Sequence, residues 1–183
     1  MRAILLGAGL SRRARMPKQL YPVGSEYLID VQIDILSSYG YRPVVILGHM
    51  ADEILKKARV DCDTIVNEKY RDGMFSSVAK AFSQIEGEDL LFFHIDRRIP
   101  ARNLIDELVS IAGNRPATLL CDGERIPPIY IPYSYGEFLA ESKVGRLDRW
   151  IESVSARTLE CDDKRLLCNG NYPEDLKRCF DSY

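Results

Sequence analysis

What most constrains this chain is a rhythm of short, unbroken apolar runs set between longer amphipathic stretches. AILL (3–6), PVVIL (43–47), TIV (64–66) and DLLFFHI (89–95) lack the strict apolar–polar alternation of a half-exposed strand. Runs of that kind are strands covered on both faces, as in parallel sheets. Between them, residues 28–39, 51–58, 76–85 and 101–112 carry apolar side chains at helical spacing. Strand and helix in alternation predict βαβ units: a three-layer α/β/α arrangement around a mostly parallel, twisted sheet. Gly40 and Gly87 stand where C-terminal helix caps are expected, and Asp52 and Ser76 where the following helices would open.

Beyond Gly113 the rhythm loosens. ATLLC (117–121) and PPIYI (127–131) read as strands around the turn DGER. Helices are expected at 136–140 and 147–154, then a short strand RLLC (165–168) and a closing helix from Pro173. With 183 residues, 46% of them hydrophobic, the chain suits one domain with a real core. No internal repeat or low-complexity linker divides it.

Charge excludes one class of partner. Twenty-five Lys and Arg against 27 Asp and Glu leave a net charge of -2, so no global basic field is available for nucleic acid. The apolar start MRAILLGAG is too brief for a secretory signal, and nothing later approaches the roughly 18 apolar residues of a membrane span. A soluble cytoplasmic protein, monomeric or a small homo-oligomer, is expected. Cys62, Cys121, Cys161, Cys168 and Cys179 are odd in number, scattered and without a CxxC pair, which predicts reduced, mostly buried thiols rather than zinc ligands or a disulfide framework.

The opening stretch ILLGAGLSRRARMPKQL ends an apolar run in two glycines and crowds Arg12, Arg13, Arg15 and Lys18 together. Glycines let backbone N–H groups approach an anion, and a helix start adds partial positive charge, so this is a candidate phosphate cradle. It is neither of two common versions. GLSRRARMPK lacks the second glycine and lysine placement of GxxxxGK[ST], and Gly7, Gly9 and Arg12 supply only two glycines of GxGxxG.

What remains is LxAGxSxRxxxPKxL, carried by Leu6, Ala8, Gly9, Ser11, Arg13, Pro17, Lys18 and Leu20. It resembles the loop LAAGxSxRMGxPKxL of the GT-A-like nucleotidyltransferases, in particular the molybdenum-cofactor group (MobA-like NTP transferases). The resemblance implies a nucleotide-diphospho-sugar transferase (Rossmann-like) fold, in which this loop wraps a triphosphate. Residues 1–113 would form a nucleotide-binding half and 114–183 an acceptor-binding half. Arg13 would grip two phosphate oxygens and Lys18 act as a point charge, beside the backbone of Leu6, Gly7, Ala8, Gly9 and Ser11. Arg15 stands where the family has its second glycine, and Ala14 replaces its methionine. The Arg15 side chain would either fill part of the phosphate site or add a contact to it.

Three further stretches resemble the family in the same order. NEKYRDGMFSS gives Asn67, Gly73 and Ser76 on the nucleotide side, with Ser76 or Ser77 as a helix cap. LLFFHIDRRIP ends a buried strand in Asp96, implied to hold Mg²⁺; Arg97 and Arg98 follow it and would either clamp an acceptor phosphate or pair with Asp96. NGNYPEDL supplies Asn171, whose side-chain oxygen would be a second metal ligand. DGERIPP places Arg125 and Pro127 on the acceptor side, and Tyr130, Tyr133 and Tyr135 follow as possible lining.

The implied chemistry is attack by an acceptor phosphate on the α-phosphorus of a nucleoside triphosphate, CTP or GTP being favoured, with release of pyrophosphate. Arg13, Lys18 and Asp96 would be the catalytic set, since such a transfer asks for positioning and charge stabilisation more than a nucleophilic side chain. His49 reads as a loop or helix-cap residue and His94 as a packed strand residue. Two other functions fit the same loop: a sugar- or alditol-phosphate nucleotidyltransferase, and a nucleotide-binding regulator without turnover.

Overall fold

The computed structural model describes residues 1–142, 145–181 and 183. Strand β1 (Arg2–Gly7) leads through the opening loop into a one-turn 3-10 helix at Lys18–Leu20 and a small hairpin, β2 (Pro22–Val23) and β3 (Glu26–Tyr27). Then come α1 (Leu28–Ser38), β4 (Pro43–Leu47), α2 (Ala51–Lys57), β5 (Asp63–Val66), α3 (Met74–Phe82), β6 (Leu90–His94) and α4 (Arg102–Ala112). The second part adds β7 (Ala117–Cys121), β8 (Glu124–Ile131), α5 (Gly136–Glu141), α6 (Leu147–Ser153), β9 (Arg157–Cys161) and α7 (Pro173–Phe180).

Seven strands form one sheet in the order β5-β4-β1-β6-β8-β7-β9. Pairing is parallel throughout except at β8, which runs antiparallel to both β6 and β7. Successive side chains of a strand point to opposite faces, so each buried strand feeds two cores. Ala3, Leu5, Val45, Leu47, Leu91 and Phe93 pack under α1, α2, α4 and α7, whereas Ile4, Leu6, Val44, Ile46, Leu90 and Phe92 pack under α3, α5 and α6. That division is the three-layer architecture, and it explains why β1, β4 and β6 read as continuous apolar runs.

The differences from expectation have local causes. RLLC is not a strand: Lys164–Leu167 forms a 3-10 turn, capped by the Asp163 side chain accepting from the Arg165 N–H, with Leu166 buried. The strand beside β7 is instead β9, whose sequence RTLEC buries only Cys161 and so lacks the apolar run that marked the others. Helix α3 starts at Met74 behind Gly73, which places Ser76 inside the first turn rather than at the cap. Asp52 likewise sits inside the first turn of α2, which follows a left-handed Met50. Cys168 and Cys179 are not free thiols: they form a disulfide, Cα atoms 5.6 Å apart, joining the turn before α7 to the helix itself. Cys62, Cys121 and Cys161 are free. Among the described residues no helix is long and apolar enough to cross a membrane.

The connection order decides where a ligand fits. From β1 the chain moves outward through β4 and β5, then returns to β6 on the other side of β1. In open α/β sheets the crevice at the carboxyl ends of the strands flanking such a switch point is the binding site. Here those ends carry the glycine-rich loop and the segment His94–Ile95–Asp96.

Candidate active site

The loop after β1 is pinned in its middle. Ala14, where the family has methionine, is 1% exposed and packs in the core with Leu20, so Arg12, Arg13 and Arg15 are left outside. Ser11 and Arg15 hold left-handed backbone, φ 49° and 57°. The second value gives the family glycine its physical reason, since that region favours a residue without Cβ. Below the loop, Gln19 Nε2 donates to the Gly7 carbonyl and the Lys18 N–H to Ser11 Oγ at 3.4 Å. Among the described residues, chain neighbours apart, no atom lies within 4 Å of where a Cβ on Gly9 would stand, so its backbone is open to close approach.

Lys18 is only 8% exposed, and its charge is spent on two oxygens. Its Nζ lies 2.7 Å from Asp96 Oδ2 and 3.2 Å from Asn171 Oδ1. Arg13 donates to the same Asn171 oxygen at 3.1 Å and stacks over the Tyr172 ring at 5.5 Å. Burial by itself would raise the Asp96 pKa; the Lys18 ammonium, with smaller help from His94 and Arg97, outweighs it and holds the carboxyl below its usual range. Three segments far apart in the chain thus meet at one point. The Gly170 N–H fastens the last of them by donating to the Asp96 carbonyl at 2.8 Å.

Two cavities open along this edge. The smaller, about 300 Å³, is lined by Leu6, Ala8, Gly9, Ser11, Lys18 and Asp96, together with Gln19, Tyr70, Arg71 and Ser77. The larger, about 640 Å³, is lined by Arg125, Ile126, Pro127, Ile129 and α6 residues. Gly73, Met74 and His94 line both. The N-terminus of α3 therefore stands between the cavities, where its free N–H groups favour an anion.

Other candidates lie off these cavities. Asn67, 2% exposed, braces the turn before α3: its Nδ2 donates to Ser76 Oγ and Ser77 Oγ, both at 2.9 Å, and its Oδ1 accepts from the Lys69 N–H. Ser76 Oγ in turn has the Lys69 and Gly73 carbonyls within reach of its one hydrogen, at 2.9 and 2.8 Å, leaving Ser77 as the serine on the cavity wall. Arg97 lines neither cavity, donating to the Leu166 and Leu167 carbonyls and pairing with Glu124 at 2.6 Å. Arg98 stacks over Tyr183 at 4.8 Å. The ion-pair partner of Asp96 is thus Lys18, and neither Arg97, Arg98 nor Arg15 takes that place. Tyr130 is buried with its hydroxyl on Asp89 at 2.6 Å, and neither it, Tyr133 nor Tyr135 lines the larger cavity. His49 sits in the loop before α2 with its ring against Tyr70, centroids 5.8 Å apart.

Arg71, Gln19 and His94 also line the smaller cavity, and none of them belongs to the motifs that mark the other candidates. Arg71 is a cation two residues before Gly73, a signal that was present. Gln19 Oε1 and His94 Nε2 are buried without a partner among the described residues, which only the fold reveals.

A mostly parallel sheet with one reversed strand and a cation-bearing loop after its first strand defines a nucleotidyltransferase of the nucleotide-diphospho-sugar transferase fold. Comparison agrees: the family model for the MobA-like NTP transferase domain matches residues 3–160, and the chain belongs to that family. The bifunctional protein GlmU of Cupriavidus pinatubonensis is 25% identical over 160 residues, 85% of this chain; the chain spans 34% of that protein's length. Rv0371c of Mycobacterium tuberculosis superposes with a TM-score of 0.85 at 18% identity, covering 99% of this chain and 97% of that one. It has also been solved in complex with manganese, at 17% identity and a TM-score of 0.79 over 100% of this chain and 98% of that one. Molybdopterin-guanine dinucleotide biosynthesis protein A of Archaeoglobus fulgidus gives 0.76 at 19% identity, with 99% and 97% covered.

Proposed function

We propose that this chain moves a nucleotidyl group from a nucleoside triphosphate, CTP or GTP first, to a phosphorylated small-molecule acceptor such as molybdopterin, releasing pyrophosphate. The observation that carries the reading is the meeting of Lys18, Arg13, Asp96 and Asn171, of which Lys18 and Asp96 line the smaller cavity. The triphosphate lies in that cavity against the backbone of Ala8 to Ser11 and the start of α3. The acceptor enters from the larger cavity, past Arg125 and Pro127. An acceptor phosphate oxygen forms a bond to the α-phosphorus, the α–β phosphoanhydride bond breaks, and its electron pair leaves with pyrophosphate. Residues 1–113 contribute the nucleotide side and 114–183 most of the acceptor side.

A divalent cation, Mg²⁺ in this reading, fits the donor set. Asp96 and Asn171 offer two hard oxygens that already converge on one cationic atom, Lys18 Nζ, and magnesium needs only one or two protein oxygens beside phosphate and water. When bound, such an ion neutralises charge on the phosphates. Lys18, released from Asp96, then serves a phosphate oxygen, and Arg13 a terminal one.

Cytoplasmic residence belongs to the same proposal and has to accommodate the Cys168–Cys179 disulfide, because cytosolic thiols are kept reduced. The test is pyrophosphate release from each of the four triphosphates with molybdopterin and other phosphate monoesters, with and without Mg²⁺. Metal-dependent release with at least one pair, abolished in a folded Asp96→Asn variant, is the expected result; release undiminished by Asp96→Asn overturns the assignment.

A further inference from the structure

The segment that brings Asn171 to Lys18 runs between two firm anchors. On one side Arg97 donates to the Leu166 and Leu167 carbonyls; on the other Leu176, Cys179 and Phe180 seat α7 in the core. Between them, the Gly170 N–H donates to the Asp96 carbonyl at 2.8 Å and Asn171 Oδ1 accepts from Lys18 and Arg13. The Cys168–Cys179 disulfide fastens the start of the segment to the last turn of α7. That last tie is covalent and the others are not.

Holding the segment in place has a cost. Asn169 Oδ1 is buried with no partner among the described residues, and an acceptor buried without a hydrogen bond is unfavourable. Opening the disulfide lets Asn169 turn to water, so the unpaired oxygen favours release once the covalent tie is gone. The two sulfurs are also unequally placed. Cys168 is half-buried whereas Cys179 is 1% exposed, so an incoming thiolate reaches Cys168 first and Cys179 stays behind with α7.

We propose that Cys168 and Cys179 are a reversible redox site, whose disulfide holds Asn171 at Lys18 and whose reduced pair releases it, with a dithiol reductant as the reacting partner. A thiolate of the reductant attacks Cys168 Sγ, the Cys168–Cys179 bond breaks, and its electron pair leaves on Cys179 Sγ, which takes up a proton. The second thiolate of the reductant then displaces Cys168 Sγ, which is protonated in turn, and the reductant departs as its own disulfide. Two electrons and two protons have passed to the cysteine pair. For its effect on nucleotide the proposal rests on the nucleotidyl-transfer reading: the metal oxygen of Asn171 stands beside the triphosphate only in the oxidised protein. A reversible pair also removes the conflict between a disulfide and reducing surroundings.

The test compares the parent reduced with dithiothreitol and the same protein reoxidised with glutathione disulfide. Alkylation under denaturing conditions should count three thiols in the oxidised protein and five in the reduced one. Amide hydrogen exchange at residues 170–172 should quicken at least about tenfold on reduction, while the amides of β1, β4 and β6 keep their protection. Affinity for CTP or GTP with Mg²⁺ should fall at least about fivefold on reduction and return on reoxidation. The double variant Cys168→Ser, Cys179→Ser should exchange as the reduced parent does and ignore both reagents. The proposal is overturned if the thiol count does not follow the reagents, if exchange at 170–172 is the same in both states, or if nucleotide binds equally well to both. Loss of protection in β1, β4 and β6 on reduction overturns it too, because the bond is then a staple of the whole fold. Release of the loop in a protein that binds neither nucleotide in either state would sink the transfer reading and leave the redox site standing.

Discussion

Lys18 Nζ lies 2.7 Å from Asp96 Oδ2 and 3.2 Å from Asn171 Oδ1, so one ammonium holds both oxygens proposed for a divalent cation. Two cations roughly 4 Å apart repel by about 4 kcal/mol per unit-charge pair at an effective dielectric of 20, so Lys18 and the metal compete until a triphosphate draws the lysine away. Lys18→Met should therefore raise the affinity for Mn²⁺ alone, by about threefold or more, measured by electron paramagnetic resonance. It should also reduce the coupling between metal and nucleotide, which by linkage is the same whichever ligand is titrated. Weaker Mn²⁺ binding in this variant would take Asp96 and Asn171 out of the metal site.

Arg15 carries φ 57° in an exposed turn, and Asp96 is paired with Lys18 instead of with it. Arg15→Gly relieves left-handed strain of about 1 kcal/mol, offset in part by the greater freedom glycine gives the unfolded chain. The variant should be as stable as the parent or slightly more so in thermal melts, and nucleotide affinity should stay within about threefold. A gain of tenfold or more would identify Arg15 as an obstruction.

The Cys168–Cys179 disulfide closes a loop of sequence separation 11 that contains Asn169, Gly170 and Asn171. A Cβ on Gly170 would stand 2.7 Å from Leu176 Cδ2, so the same loop is packed hard against α7. Loop-closure entropy for a ring of that size is worth about 3 kcal/mol. Replacing both cysteines by serine should lower stability in urea titrations by about 2–3 kcal/mol and weaken metal-assisted nucleotide binding through Asn171. A double variant of parental stability would show that packing on α7 alone holds the loop.

Much of the fold was legible because β1, β4 and β6 are buried on both faces and so lack polar interruption. Edge strand β9 was not, since Arg157, Thr158 and Glu160 read as loop and only its pairing with β7 makes them a strand. RLLC misled in the other direction, an apolar run too short to distinguish strand from turn. In the site, the glycine loop, Asp96 and Asn171 announced themselves by motif. The contact of Lys18 with Asp96, 78 positions away, and the inward brace made by Arg97 are tertiary facts that spacing does not carry.

Alkaline pH supplies an independent check on the packing. Burial first, then the Asp181 side chain, raises Tyr21 to about 12; burial, partly countered by the Ile99 N–H, raises Tyr183 to about 12; burial raises the Cys62 thiol to about 11. These folded values lie above the unfolded ones, so their stabilisation is complete below about pH 9 and is lost as pH rises through 11 to 12. Stability from denaturant midpoints should be flat to about pH 9 and then fall, with the Tyr21 and Tyr183 share of the tyrosinate absorbance appearing together with unfolding. Free ionisation of all tyrosines near pH 10 in the folded protein would contradict this packing.

The central claim is that the loop from Gly7 to Lys18 binds triphosphate. Calorimetric titration of CTP and GTP with Mg²⁺ into the parent and into Lys18→Ala tests it most directly. The account predicts saturable binding of at least one of the two by the parent and at least about tenfold weaker binding by a folded Lys18→Ala variant, the loss expected for one charge-assisted phosphate contact. Equal affinity in the two proteins, or no binding of either nucleotide to the parent, would contradict it.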